Sequence, residues 1–525
     1  MNFGSVTEQA APQVCGLWEI YGRASSTAYY SAERRIYFPE RTVIPLRLRR
    51  FLWNASLLAV VQMLMRLMAV SFNAFVSRKI GAEAMGLFTL VMSVYGLSVT
   101  FAASGVNLAA VRLTAAAMAD TDPPKRIRGV IRGCILYSLL FGISASLILF
   151  AASDFVGMRL LCDARTIPSL RALAISLPAI SLSSALAGYF TGVRRIYKNA
   201  VVSVTEQLIK ISLTTVLLLL FVPAGIEYAC LAVVGGSAIA EGFSLCTAAL
   251  LYFAERRGGQ NRARIPIIGA FRDVFRCAFP TAVGSYARQG LLTAEHLAIP
   301  WGLRRSGIAG EAALASYGVL HGMVYPIIFF PSAILGAFSS LLVPEFAECA
   351  ERGDGERIRR MAEKVMRTSL MFSIGTAGIF IAFSYEIGQG IYPGTDAYAH
   401  LAMIAPLIPV MYLDSAVDAM LKGLGEQMHS MKINIADSLL CLVLVLLLLP
   451  KWGLAGYFAV QYICELLNAT LSISRLLTVT KMRPRVTVWV ILPLCGIIFA
   501  TASVRWLSGI PSVPLIGFGS SAGAR

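Results

Sequence analysis

Two arginines, Arg66 and Arg288, stand inside apolar stretches long enough to cross a bilayer. An arginine at the centre of a spanning helix costs at least about 2.5 to 3.5 kcal/mol on insertion scales, so each needs a partner, a wet cavity or an anionic ligand. Acids and histidines share this setting. Glu295 and His296 are consecutive, so on a helix they point about 100° apart and only one can look straight into a cavity. His321 could approach either, as a proton carrier or as a packing residue. Asp414 and Asp418 lie four apart, hence on one helix face, where two unpaired carboxylates repel unless one is protonated or a cation joins them. Asn434 and Asp437 offer oxygen ligands a turn apart, for an ion or for an interhelical hydrogen bond. Glu206 and Lys210 have the favourable acid-before-base spacing of a structural pair. The four histidines are scattered, so no metal site is expected. There is no Walker A loop or HExxH to mark an enzyme or a bound cofactor.

Spanning helices must hold these residues. Of 525 residues, 57% are hydrophobic and only 14% charged, with a mean hydropathy of +0.69, which places the chain outside soluble domains. The expected fold is an all-α polytopic membrane protein. Thirteen apolar runs of about 20 residues lie between 53 and 507, the first at 53–76, the seventh at 274–300 and the last at 486–507. The net charge of +17 collects in alternate loops, such as Lys125, Arg126 and Arg128, Arg194 and Arg195, and Arg357, Arg359 and Arg360. That asymmetry predicts a cytoplasmic N-terminus and no nucleic-acid partner. Ten cysteines without a CxxC pair indicate neither a disulfide framework nor zinc.

The chain also matches itself at a shift of about 230 residues. Leu90, Val94 and Tyr95 align with Leu320, Val324 and Tyr325, and Pro178 aligns with Pro406. Glu206 is matched by Asp437, and Glu241 by Glu465. The shift spans six helices, an even number, so both halves face the same way, as in carriers whose halves rock about a central cavity. The expected layout is a tail over 1–50, an N-lobe of six helices over 51–255, a linker over 256–272, a C-lobe over 273–482, and a thirteenth helix with a short tail over 483–525.

EHLAIPWGLRRSGI from Glu295, SYGVLHGMVYPIIFFPSAILGAF from Ser316 and RKIGAEAMGLFTLVMSVYGLSVTFAASGVNLAAVRL from Arg78 resemble the polysaccharide-transporter branch of the multidrug/oligosaccharidyl-lipid/polysaccharide flippase superfamily. The likeness covers roughly 51–507 and is strongest to sporulation-type members. It implies two six-helix bundles, usually with two further helices, in the bacterial cytoplasmic membrane. It also implies flipping of undecaprenyl-pyrophosphate-linked sugars or a peptidoglycan precursor, for a spore cortex in the sporulation type. Two departures stand out: the long N-terminal tail, and an end at PSVPLIGFGSSAGAR, too short and glycine-rich for a fourteenth helix. Lipid II flippases of the MurJ type carry a further first-helix arginine that would fall near Phe72 or Asn73, so this cavity is expected to be less cationic.

On this reading Arg66, Asn73, Arg288, Glu295 and His321 line the substrate cavity. Each arginine could instead pair with an acid such as Glu206 or Glu295. Asn434, Asp437, Asp414 and Asp418 are candidates for coupling to Na+ or H+, since related flippases place a sodium site on the helix that carries Asn434. The expected partners are a lipid-linked sugar, membrane lipids and cell-wall synthesis enzymes. The alternatives are a cation-coupled multidrug antiporter, whose cavity would be acidic and aromatic rather than arginine-bearing, and a membrane enzyme or scaffold of cell-wall assembly.

Overall fold

The computed structural model describes residues 46–118, 123–221, 225–256 and 267–482, and scattered positions within 490–503. The predicted tail up to residue 45, much of the linker and most of the predicted thirteenth helix lie outside the described residues. Every regular element among those described is helical.

The first helix, α1 (Leu46–Ala103), has 58 residues. Straight, it would rise about 87 Å, nearly three times the about 30 Å hydrocarbon core. It is broken at Gly81, whose φ of 79° and ψ of 176° interrupt the helical backbone. Two predicted spans therefore meet at a single glycine, the residue without a Cβ to forbid that conformation. Then come α2 (Val106–Ala117), α3 (Pro123–Phe155), α4 (Ile167–Gly192), α5 (Ile196–Phe221), α6 (Ile226–Arg256) and α7 (Ile267–Arg305). Next are α8 (Gly310–Tyr317), a π-turn over Gly318–Val324, α9 (Tyr325–Glu351), α10 (Gly355–Ala382), α11 (Ser384–Ile391), α12 (Ala397–Ile404) and α13 (Ile408–Gly423). The last, α14 (Gln427–Thr480), repeats the device of α1, with 54 residues broken at Gly453 (φ 55°).

The breaks keep the offset of the sequence repeat. Positive-φ residues pair as Gly81 with Gly307, Arg194 with Gly425 and Gly225 with Gly453, separated by 226, 231 and 228 residues. Prolines mark further departures from ideal helix. Pro326 lies two residues after the π-turn, and Pro406 sits in a 3-10 turn over Ala405–Leu407. Each lacks the N–H that would close the preceding turn.

Nine stretches among the described residues are long and apolar enough to cross a membrane, and two of them, 63–117 and 427–480, hold two crossings each. In α5 only 11% of the most apolar window is buried, and Leu219 and Leu220 are exposed. An apolar surface of that extent is stable against lipid, not water. The molecule is a polytopic membrane protein. α7 is long enough to span but carries Arg276, Arg288, Glu295 and His296, and it packs on α3 as well as on α14. It thereby carries charge between helices of both repeats. A second crossing occurs where α1 meets the start of the π-turn: a Cβ on Gly318 would lie 2.2 Å from the Ala82 carbonyl oxygen, and one on Gly86 2.2 Å from that of Leu314. Only glycine allows backbones this close.

Candidate functional site

Between Pro326 and Pro331, α9 offers its carbonyls to side chains from other helices. Arg66 Nη1 donates to the Phe329 carbonyl at 2.8 Å and to Ser332 Oγ at 3.3 Å. Tyr412 on α13 donates to the Ile328 carbonyl. A proline ring displaces the carbonyl four residues before it and loosens the ladder around it. Among the described residues no acid pairs with Arg66, contrary to the pairing considered from the sequence: Glu206 instead accepts from Ser244 Oγ at 2.7 Å. Nor does Glu206 pair with Lys210, because its carboxylate is turned across to α6 rather than down its own helix. Asn73 is half-buried and makes no hydrogen bond among the described residues.

Arg288 differs from Arg66. It is exposed on α7, with no hydrogen bond or ion pair among the described residues. Its guanidinium does lie within electrostatic range of Asp414 and Asp437.

The four predicted coupling residues divide into two groups. Asp418 accepts from Ser430 Oγ at 2.5 Å and lies 3.6 Å from Lys422 Nζ. Asn434 donates to Ser430 O at 2.9 Å, so it joins this group rather than Asp437 one turn on. Asp418 and Lys422 border an open crevice of about 320 Å³ between α9 and α13, lined also by Ser339 and Ser415. Asp414 belongs to the other group. Its Oδ2 accepts from Asn468 Nδ2 at 3.1 Å, while its Oδ1, Asp437 Oδ1 and Asn468 Oδ1 are buried without a partner. Glu465 interacts electrostatically with Asp414, Asp437 and Glu295. Buried acceptors with nothing to accept from are costly, so this group suits protonation or a bound cation. Among the described residues no three His, Cys, Asp or Glu converge in a metal-holding arrangement.

Glu295 and His296 separate as helix geometry requires. Glu295, 8% exposed, lies beside Cys441 of α14. His296 turns to α8, where its Nδ1 lies 2.8 Å from the Tyr317 hydroxyl. His321 approaches His296, with ring centroids 4.8 Å apart. Sequence reasoning passed over Tyr457, Gln461 and Asn468, and it placed Tyr325 and Glu465 in the repeat without assigning them to a site. Spacing held a signal for part of this, since Tyr317, His321 and Tyr325 recur every four residues and share a helix face.

Near the break at Gly81, Arg78 caps α11 by donating to the carbonyls of Gly390 (2.8 Å) and Ile391 (2.9 Å). Arg165 bridges Asp163 (2.7 Å) and Glu83 (2.9 Å). Partial burial pushes the Asp163 carboxyl up, but the hydrogen bonds from the Arg165 side chain and backbone N–H outweigh it and hold the group below the usual carboxylate range.

Comparison with known proteins places this geometry in context. The family model described as "Polysaccharide biosynthesis protein" matches residues 51–299. The chain is 25% identical over 459 residues to "Stage V sporulation protein B" of Bacillus subtilis (strain 168), covering 85% of this chain and 88% of that protein. Among solved structures, an inward-facing multidrug resistance MATE family transporter of the MOP superfamily superposes with a TM-score of 0.63 at 14% identity, over 81% of this chain and 99% of that one. The lipid II flippase MurJ in an inward closed conformation gives 0.60 at 12% identity, over 88% of this chain and all of that one. The fold is the one these transporters share.

Proposed function

We propose that the protein is a coupled carrier that moves an anionic lipid-linked saccharide across the bacterial cytoplasmic membrane by alternating access of its two repeats, with the N-terminus cytoplasmic. The observation that carries this reading is Arg288, a guanidinium inside a predicted span with no hydrogen-bond or ion-pair partner among the described residues. A pyrophosphate is the natural occupant of such a position, because charge-assisted hydrogen bonds strengthen in a low-dielectric cavity. Arg66, held at the bend of α9, supplies a second cation. The acids Asp414, Asp437 and Glu465 serve the coupling ion, Na+ or H+. The likeness to a family described by polysaccharide biosynthesis, to a sporulation protein and to a lipid II flippase supports an undecaprenyl-pyrophosphate-linked cargo. A peptidoglycan precursor for a spore cortex is the specific form, with cell-wall synthesis enzymes as downstream partners.

A second reading has its own observation. Four acids, Glu295, Asp414, Asp437 and Glu465, outnumber Arg288 in one region, which favours a cationic cargo and drug antiport. Reconstitution separates the two readings. Wild-type protein in liposomes is expected to transfer a fluorescent undecaprenyl-pyrophosphate sugar between leaflets, and folded Arg288→Ala protein to lose most of that transfer. Efflux of a lipophilic cation by wild type, with no lipid transfer, would establish the antiporter instead.

A further inference from the structure

Four polar side chains, from the π-turn, α9 and α14, form one hydrogen-bonded line. His321 Nε2 lies 3.1 Å from the Tyr457 hydroxyl, which lies 3.1 Å from that of Tyr325. Tyr325 in turn donates to Gln461 Oε1 at 3.0 Å. The proton positions follow from this order. Tyr325 spends its O–H on Gln461, so Tyr457 must donate to Tyr325, and His321 must donate through Nε2–H to Tyr457. All three donors point the same way, toward the turn of α14 that carries both Gln461 and Glu465.

Packing explains why the line exists. His321 sits in the π-turn Gly318–Val324, a backbone form common at functional sites. Its ring lies 4.7 Å from that of Tyr317 and 5.0 Å from that of Tyr325. Tyr457 is fully buried, so its hydroxyl depends on these partners. At the far side of His321 stands the imidazole of His296, itself bonded to Tyr317. The other titratable groups around the line are Glu295, Cys441 and Glu465, each of which interacts electrostatically with Tyr325. From α12, which packs on the π-turn, His400 faces Phe458 and spends its Nδ1 on the Asp396 carbonyl at 2.8 Å.

We infer that the coupling ion is a proton, and that His321, Tyr457 and Tyr325 conduct it to Glu465. The inference rests on the coupled-carrier reading above. A proton arriving at His321 Nδ1 releases the Nε2 proton to Tyr457, Tyr457 passes its own to Tyr325, and Tyr325 passes its own to a Glu465 carboxylate oxygen. One proton leaves the imidazole and one carboxylate is neutralised, with no co-reactant. Glu465 stands one turn along α14 from Gln461, and its charge acts on Tyr325. Rotation of the hydroxyls, together with turnover of the His321 ring to present N–H to Tyr457 again, then resets the line.

A substrate-free pH jump tests the path. Purified full-length protein is acidified in a stopped-flow instrument, and proton uptake is followed with an indicator dye. Tyr457→Phe and Tyr325→Phe are expected to slow uptake about tenfold or more while leaving the total number of protons unchanged. Glu465→Gln should lower that total by one. Tyr462→Phe removes a hydroxyl that donates to the Met403 carbonyl at 2.8 Å, away from the line, and should leave the rate as in wild type. Equal rates in wild type and both relay variants, with retained folding by size exclusion, would overturn the path. A second arm uses proteoliposomes with the fluorescent undecaprenyl-pyrophosphate sugar. Transfer driven by a sodium gradient and indifferent to a pH gradient would overturn proton coupling and leave the carrier standing. Relay-dependent uptake without any lipid transfer would support the path and strike only the proposed cargo.

Discussion

The two repeats carry the same motif in different states of elaboration. In the first, Glu206 and Glu241 interact electrostatically beside Lys210, and Tyr95 lies within range of both acids. In the second, Asp437 and Glu465 interact in the same way, and Tyr325 lies within range of Glu465. Tyr95 and Tyr325 are counterparts, as are the acids. What surrounds them differs. The Tyr95 hydroxyl meets Ser176 Oγ at 2.6 Å, and Ser176 spends its own proton on the Leu173 carbonyl at 2.8 Å, so the chain stops there. The Tyr325 hydroxyl continues to Tyr457 and His321, and two more acids, Asp414 and Glu295, crowd its side. The acid pair and tyrosine recur in both repeats, whereas among the described residues the continuous protic line belongs to the second.

If that difference matters for transport, equivalent substitutions must have unequal effects. The largest contrast is expected between Glu465→Gln and Glu241→Gln in gradient-driven transfer assays. The first should abolish accumulation, about 100-fold or more, and the second should change it by less than about threefold. Similar losses in both would mean that the halves share the work. Next comes charge on cargo. Arg288→Ala should cut lipid-linked sugar transfer about 10- to 100-fold, the loss of one charge-assisted contact, whereas Lys210→Ala should leave initial rates within a few-fold.

The crossing of the repeats offers a third test. Gly318→Val forces a side chain onto the Ala82 carbonyl, so the close approach of α1 to the π-turn must open, at a cost of about 1 to 3 kcal/mol. Labelling of a cysteine placed beside Gly86 should rise, and transfer should fall. Unchanged labelling would show that this crossing is no gate. The smallest effect belongs to Asp163. Its folded pKa is depressed, so its contribution to stability is present above the ordinary aspartate value of about 3.9 and is lost as pH falls through the lower folded value. The thermal midpoint of wild type should therefore drop more steeply below about pH 4 than that of Asp163→Asn.

Much of the fold was legible because lipid imposes a simple rule: about 20 apolar residues per crossing, with every backbone group bonded within the helix. The breaks at Gly81 and Gly453 fall where apolar runs adjoin, and the prolines at 326 and 406 fall where helix gives way to π and 3-10 turns. Local spacing also sufficed to say that Glu295 and His296 diverge. It failed for Asp414, Asp418, Asn434 and Asp437, grouped by proximity along the chain. Asn434 bonds backward to Ser430 and thereby joins Asp418, while Asp414 takes Asn468, 54 residues away. Side-chain partners across helices depend on rotation of each helix about its axis, and a uniformly apolar span carries almost no periodic signal for that rotation.

The sequence by itself determined that the chain is helical, membrane-embedded and internally repeated, since hydropathy, positive charge in alternate loops and self-similarity are properties of composition and order. It also marked Arg66 and Arg288 as anomalies. Only the tertiary structure decided that Arg66 is held by carbonyls of α9 while Arg288 has no bonded partner among the described residues, and that one tyrosine ends a chain of hydrogen bonds while its counterpart extends one. Those outcomes rest on hydrogen bonds and ring contacts of a few ångströms between residues up to 263 positions apart, which helix packing creates and no local pattern encodes.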